Sequence, residues 1–254
     1  MKHAFILDPK HGTNIALMGN VSLHEQRADY GIKHYDVNEK NAYASLVFET
    51  NFTEAHNLSA GLSLNHDYLR QNLSLTTPTA ILSNYGNLYP LKNNVESETT
   101  PGAYVQYTFN LHNHFIAMAG FRVDHSNVYG TFATPRFHVK WVATDFLTLR
   151  LSAGKGYRSP HALAENNYLL ASGRCLMVDQ PLKQEAAWNY GTSMALNIPL
   201  FNKTLKLNAE YYYTHFTNQT VIDYDSNPLE LHIGNLNGKS YSHTFQIDAS
   251  YPVF

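Results

Sequence analysis

RFHVKWVATDFLTLRLSAG, residues 136–154, decides the fold. Phe137, Val139 and Trp141 alternate with Arg136, His138 and Lys140; beyond Asp145 and Phe146, Leu147, Leu149, Leu151 and Ala153 alternate with Thr148, Arg150, Ser152 and Gly154. Strands have this period of two, because successive side chains point to opposite faces. The pattern recurs along nearly the whole chain and no long amphipathic helix interrupts it, so the protein is all-β. What remains is whether the apolar row faces a second sheet or lipid.

Composition points to lipid. Tyr (18) and Phe (13) are abundant while charged residues make up only 15%, the mix of a transmembrane barrel with an apolar outer band, aromatic rims and a polar lumen. No apolar run approaches the roughly 20 residues a membrane-crossing helix needs, which leaves strands as the means of crossing. A net charge of -2 argues against nucleic acid as a partner. The single Cys175 allows no internal disulfide. Met1 is followed by a polar stretch with Lys2, His3, Asp8, Lys10 and His11 rather than a secretory signal, so the chain is expected to be a piece of something longer.

Ten strands are expected, at Asn14–Arg27, Asn41–Phe52, Leu58–Asn72, Thr99–Asn110, Phe115–Asn127, Pro135–Thr144, Leu147–Tyr157, Glu185–Ile198, Thr204–Asn218 and Asn235–Ser250. Most exceed the five or six residues usual in soluble sheets and match the roughly ten of a tilted membrane strand. Short turns at Thr53–Asn57, Leu111–His114, Asp145–Phe146 and Pro199–Lys203 alternate with long segments at Ala28–Lys40, Leu73–Glu98, Val128–Thr134, Arg158–Gln184 and Gln219–Gly234. Bacterial barrels put short turns on the periplasmic side and long loops outside. Phe52, Phe109, Phe115, Trp141, Phe146 and Phe201 cluster near the short turns, as an inner-leaflet girdle would.

The inward row then contains Asn20, Ser22 and His24; Ser45 and Glu49; Tyr104, Gln106 and Thr108; Arg122 and Asp124; Arg136, His138 and Lys140; Arg150; Lys206, Asn208 and Glu210; and Gln246 and Asp248. Facing such a row to lipid would cost about 2–4 kcal/mol per mid-membrane Lys or Arg. Both ends read as cut: Ala4–Leu7 looks like the tail of an earlier strand, and Tyr251, Pro252 and Val253 begin a turn, although Phe254 would also suit a genuine barrel terminus.

The segment Gly154-Lys-Gly-Tyr-Arg-Ser-Pro160, then His-Ala-Leu-Ala-Glu165, then Leu182-Lys-Gln-Glu185 and Asn189-Tyr-Gly191, resembles the characteristic run of TonB-dependent outer-membrane receptors. Asn235-Leu-Asn-Gly238 with the strand Thr244–Tyr251 resembles the next hairpin of that family, and Glu165–Arg174 is similar to receptors of Bacteroidetes in particular. Gln184 stands where the family often has Pro, and His243 where a Gly is common.

The resemblance implies a barrel of 22 strands with a plugged lumen, of which residues 1–254 would be one partial barrel domain without the plug. It implies residence in the bacterial outer membrane and active import of a scarce large ligand (siderophore or other iron complex, haem, cobalamin or glycan), driven by the TonB complex acting through the plug. No catalysis and no resident cofactor or metal are expected. Arg122, Arg136, Lys140, Arg150 and Glu210 would pair with the plug or solvate a wet lumen. Arg158 would hold Glu165 and fix the base of its loop by bidentate hydrogen bonds.

His161, next to the aromatic-Arg-x-Pro element, and Tyr85, Tyr89, Tyr168 and Tyr224 are candidate ligand contacts in external loops. A loop His is more often a polar surface residue, and loop packing accounts for most such aromatics. His112 and His114 flank Asn113 in a short turn with no further zinc ligands evident. Cys175 has no neighbouring His or Lys in sequence to activate it and reads as a surface thiol rather than a nucleophile. Two other classes remain open. One is a self-contained small barrel, a pore or a barrel enzyme such as a protease or acyl hydrolase, drawing on Ser159, His161 and Asp179; the other is a soluble β-sandwich binding domain.

Overall fold

The computed structural model describes residues 1–75, 91–179 and 181–252. Eleven strands form one antiparallel sheet in which every strand pairs with the next: β1 (Lys2–Asp8), β2 (Thr13–Tyr30), β3 (Lys33–Thr53), β4 (His56–Leu75), β5 (Leu91–Leu111), β6 (Phe115–Ser126), β7 (Gly130–Thr144), β8 (Leu147–Arg158), β10 (Glu185–Leu200), β11 (Lys203–Asn218) and β14 (Ser240–Ser250). Three shorter strands, β9 (Cys175–Val178), β12 (Thr220–Asp223) and β13 (Glu230–Asn235), make a second sheet in the order β12-β13-β9.

The meander is the expected one, with differences at its ends and in its connections. Ala4–Leu7 lies in a strand, β1, paired to β2, and the expected Asn235–Ser250 strand begins only at Ser240, as β14, Asn235 being the last residue of β13. Ala28–Lys40 is not a loop either: β2 and β3 continue until Tyr30 pairs with Lys33 across a two-residue turn at Gly31 and Ile32, where Gly31 takes φ 65°. Glycine adopts that left-handed conformation without strain.

Cross-strand register keeps each row of side chains on one face. Leu17, Leu46, Leu62 and Ala103 are consecutive partners, and across β6 and β7 Phe121 pairs with Pro135 and Ala119 with Phe137. Nothing among the described residues covers this face: Leu151 is 54% exposed, Phe245 66% and Ile247 61%. Left in water, so large an apolar surface would aggregate; in a bilayer it is satisfied. The other row runs through Arg150, Ser193, Glu210 and Gln246 and is polar.

The long strands invert this pattern away from the short turns. On β3 the apolar-face row passes from Phe48, Leu46, Ala44 and Ala42 to Lys40, Asn38, Asp36 and His34. On β4 it passes from Leu58, Ala60, Leu62 and Leu64 to His66, Tyr68, Arg70 and Asn72. The opposite row changes in the reverse sense, from Ser45 to Val37 and Tyr35, and from Ser63 to Leu69 and Leu73. Ion pairs decorate the upper outer face, with Arg27 bound to Glu25 at 2.7 Å and His34 to Asp29 at 2.6 Å.

The buried core lies against that upper inner face. Tyr35, Val37, Leu69 and Leu73 pack with Leu163, Leu169, Leu170, Leu176, Val178, Leu231 and Ile233. These come from helix α1 (Ala162–Glu165), the 3-10 turn Asn167–Ala171 and the small sheet. Pieces this short have no stability of their own. Burial of their Leu, Ile and Val side chains, at about 1.5–3 kcal/mol each, holds them as a cap over the polar face.

Candidate functional site

Beneath the cap, a cavity of about 530 Å³ opens between β4, β5 and the start of the β8–β10 loop. Its polar wall is Asp67, Gln71, Glu96, Glu98 and His161; Leu163, Val178 and Leu182 supply an apolar side. Pro160 places His161 at the loop's first bend, one residue before α1.

His161 joins cap to wall. Its Nδ1 lies 2.9 Å from Glu96 Oε2 on β5, and its Nε2 lies 3.4 Å from Asp67 Oδ2 on β4. The hydrogen bonds to Asp67 and Glu96 outweigh burial and push the imidazole pKa up to about 10, so it is an imidazolium at neutral pH. The remaining oxygen of Glu96 accepts from Gln71 Nε2 at 2.9 Å, and Gln71 Oε1 accepts from the Tyr35 hydroxyl at 2.8 Å. Asp67 Oδ1 is buried with no hydrogen-bond partner. Glu98 accepts from Ser126 Oγ at 2.5 Å.

The loop's base is an arginine shared between two carboxylates, with one hydrogen bond to each instead of the expected bidentate pair with Glu165. Arg158 donates through Nη1 to Glu165 Oε2 at 2.9 Å and through Nε to Glu185 Oε2 at 2.6 Å. Glu165 Oε1 accepts from the His161 backbone N–H at 3.2 Å, and Glu185 Oε1 from the Thr220 N–H at 2.8 Å. On the far side of the cap, Lys33 donates to the carbonyls of Leu170 and Ser172 at 2.7 and 2.8 Å.

Of the residues singled out from sequence, His161, Arg158 and Glu165 come together here. Tyr168 and Tyr224 meet hydroxyl to hydroxyl on the cap's exposed surface, where Arg174 holds the Tyr224 carbonyl at 2.7 Å. Tyr85 and Tyr89 lie outside the described residues. Asp67, Gln71, Glu96, Glu98, Lys33 and Glu185 were missed. Asp67 sits in the alternating row that becomes the cavity wall, and Glu96 falls in Leu73–Glu98, read as loop but containing the start of β5.

The polar-face residues behave in two ways. Arg122 is satisfied within the wall, donating to Asp124 at 2.7 Å and to Ser63 Oγ at 2.7 Å. Gly102 makes room for this pair, since a Cβ there would lie 2.0 Å from Asp124 Oδ1. Lys140 and Arg150 instead face each other directly across β7 and β8, with Arg136 four residues from Lys140 on the same strand. Among the described residues none of the three has an ion-pair partner, and directly opposed like charges destabilise a sheet. Glu210 accepts from the Tyr212 hydroxyl at 3.3 Å.

Ser159, His161 and Asp179 do not assemble as a catalytic set: His161 is committed to Asp67 and Glu96, and Asp179 Oδ1 lies 3.9 Å from His232. His112 and Asn113 form a left-handed turn (φ 47° and 62°), and no group of three His, Cys, Asp or Glu around a common point occurs among the described residues.

Residues 7–253 match the family described as TonB dependent receptor-like, beta-barrel. Comparison with curated proteins finds no match. Among solved structures, the copper transporter OprC superposes with a TM-score of 0.66 at 13% identity, over 95% of this chain and 41% of that one. The siderophore receptor PirA from Pseudomonas aeruginosa gives 0.60 at 11% identity, over 95% and 48%. The FrpB iron transporter from Neisseria meningitidis gives 0.59 at 16%, over 95% and 42%. The chain thus spans less than half the length of these proteins, and at such identities the likeness establishes the fold.

Proposed function

We propose that this chain, which belongs to the TonB dependent receptor-like β-barrel family, forms wall and external loops of an outer-membrane importer for a scarce large ligand. The ligand class is an iron–siderophore or other metal complex, haem, cobalamin or a glycan, and the energy comes from the TonB complex. The chain works by binding and gating, not by catalysis.

One observation carries this reading: the only large apolar core among the described residues lies between a cap and the apolar upper part of the inner face, above the lipid band, with a carboxylate-lined cavity beside it. A soluble sandwich would bury the other row. The unpaired Lys140, Arg150 and Arg136 support a lumen occupied by an acidic partner, the role a plug would fill, because a wall with opposed cations needs a counter-charge. We read residues 1–254 as barrel wall throughout.

The test is uptake in cells carrying the receptor. Ferric siderophores, haem, cobalamin and oligosaccharides are offered singly as the sole source of iron, cofactor or carbon. Accumulation of one of them that disappears when TonB is deleted is expected. Uptake of none, or uptake indifferent to TonB, refutes the proposal.

A further inference from the structure

Two tiers of polar side chains stand on the outward face of β2, β3 and β4 above the apolar band, and they differ in charge balance. In the upper tier, cations and carboxylates are matched. Arg27 holds Glu25 at 2.7 Å and approaches Asp36 at 3.8 Å, while His34 holds Asp29 at 2.6 Å and Asp36 at 3.2 Å. In the lower tier, the first step beyond the apolar band, Lys40 and Arg70 have no ion-pair or hydrogen-bond partner among the described residues.

Register brings the lower tier together. Lys40 lies opposite Tyr68 and Asn38 opposite Arg70, with His66 two residues below Tyr68 on the same face. Partners of this kind are about 5 Å apart and diagonal neighbours about 7 Å. Asn38, Lys40, His66, Tyr68 and Arg70 accordingly line one recess of about 370 Å³. Each of the five brings an N–H or O–H donor, and no carboxylate lines the recess. His66 Nδ1 meets Thr99 Oγ1 at 2.9 Å, which leaves Nε2 for a ligand. Glu25 and Asp36, the outward carboxylates next above, are the two that Arg27 engages.

The recess sits where the apolar row stops. Across β2 Lys40 pairs with Leu23, which is 74% exposed, and two residues before His66 stands Leu64, 47% exposed. An occupant suited to both surfaces has an anionic head and an apolar body, whereas a small soluble anion would use only the head site. A lone Lys or Arg at a membrane rim is an ordinary solvated anchor; two unmatched cations in a recess of donors are complementary to phosphate oxygens.

We propose that this recess holds the anionic phosphate headgroup of a lipid in the leaflet on the cap's side. Arg70 and Lys40 take its oxygens, Tyr68, Asn38 and His66 complete the donor set, and the acyl chains lie along the apolar row. The inference depends on that row facing lipid and not on what is imported, so a failed uptake test would leave it standing.

The test places the whole receptor in nanodiscs of phosphatidylcholine, whose phosphate is neutralised by its own choline, doped with phosphatidic acid or with diacylglycerol of the same chains. Native mass spectrometry then counts the lipids retained on release. Phosphatidic acid should be retained about tenfold in preference to phosphatidylcholine, and diacylglycerol should show no preference. Lys40→Gln and Arg70→Gln should each cut the preference about threefold and together abolish it, whereas Arg27→Gln, in the matched tier, should leave it unchanged. A photoactivatable phosphatidic acid should label the parent within residues 38–40 or 66–70, a readout that needs no variant. The proposal is overturned by equal retention of phosphatidic acid and phosphatidylcholine, by an Arg27→Gln loss as large as that of Arg70→Gln, by labelling elsewhere on the wall, or by displacement of the lipid with millimolar inorganic phosphate, which would mark a site for free anions.

Discussion

Replacing His161 by Gln removes one positive charge from between Asp67 and Glu96 while keeping a side chain that can hydrogen-bond. The shift of the imidazole pKa from 6.5 to about 10 corresponds to at most about 5 kcal/mol. The His161 side chain is 24% exposed and that of Glu96 41%, so solvent screening reduces this to about 1–3 kcal/mol. Because the folded pKa is raised, the contribution is complete below pH 6.5, declines by up to about 1.4 kcal/mol per pH unit as the open state loses its proton, and is gone above about pH 10. Hydrogen exchange of the segment Leu163–Val178 reports cap opening, and the variant-to-parent ratio at one pH cancels the intrinsic exchange chemistry. The ratio should be about 5 to 150 at pH 6, which is 1–3 kcal/mol as an equilibrium factor, and should fall toward one by pH 10. A ratio near one at pH 6, or a large ratio that does not change with pH, would refute the latch.

Arg158→Ala leaves Glu165 and Glu185 without their shared cation and is expected to cost the loop base about 1–2 kcal/mol, read as faster proteolytic cleavage between residues 160 and 184 with no change in the strands. Leu151→Lys puts a charge in the lipid band at a cost of about 2–4 kcal/mol, whereas Ser152→Lys one residue on is tolerated; equal losses of membrane assembly would mean the faces are misassigned. Lys140→Glu sets a carboxylate opposite Arg150 and should stabilise the wall by about 0.2–1 kcal/mol in urea unfolding when nothing occupies the lumen. With the acidic partner in place the same change should weaken its retention, and unchanged retention would show that these cations have another purpose.

The hairpin order, the lipid-facing row and the Arg158 and Glu165 pairing were legible in the sequence because each depends on local spacing. The overhang of β2–β4 was not. Alternation between Arg27 and Asn41 looks broken when read for one solvent pair, since Asp36 and His34 fall where Ala42 and Leu46 had set an apolar row. The cavity wall was illegible for a different reason: Asp67, Glu96 and His161 are brought together by pairing of β4 with β5 and by a loop returning over both, and nothing near His161 in the chain names its partners. Asp67 differs from any other inward polar residue only through that return.

The inversion along β3 and β4 also explains why the cap sits where it does. A strand crossing lipid needs an apolar outer row and leaves its inner row to water or to polar neighbours; once the strand leaves the bilayer, its outer row meets water and must turn polar. Its inner row is then free to become apolar, provided something covers it. β3 and β4 have 21 and 20 residues, against the roughly ten needed to cross, so about half of each stands beyond the bilayer with Tyr35, Val37, Leu69 and Leu73 facing inward. Those four side chains are the foundation on which the cap packs. A wall that ended at the membrane surface would offer only the row from Ser45 to Asn41, to which Leu170 and Ile233 could not bind. The length of these strands and the presence of a closed cap are therefore one property, and shortening the β2–β3 hairpin to Lys40 and the β4–β5 hairpin to His66 should release the cap without disturbing the membrane-crossing sheet.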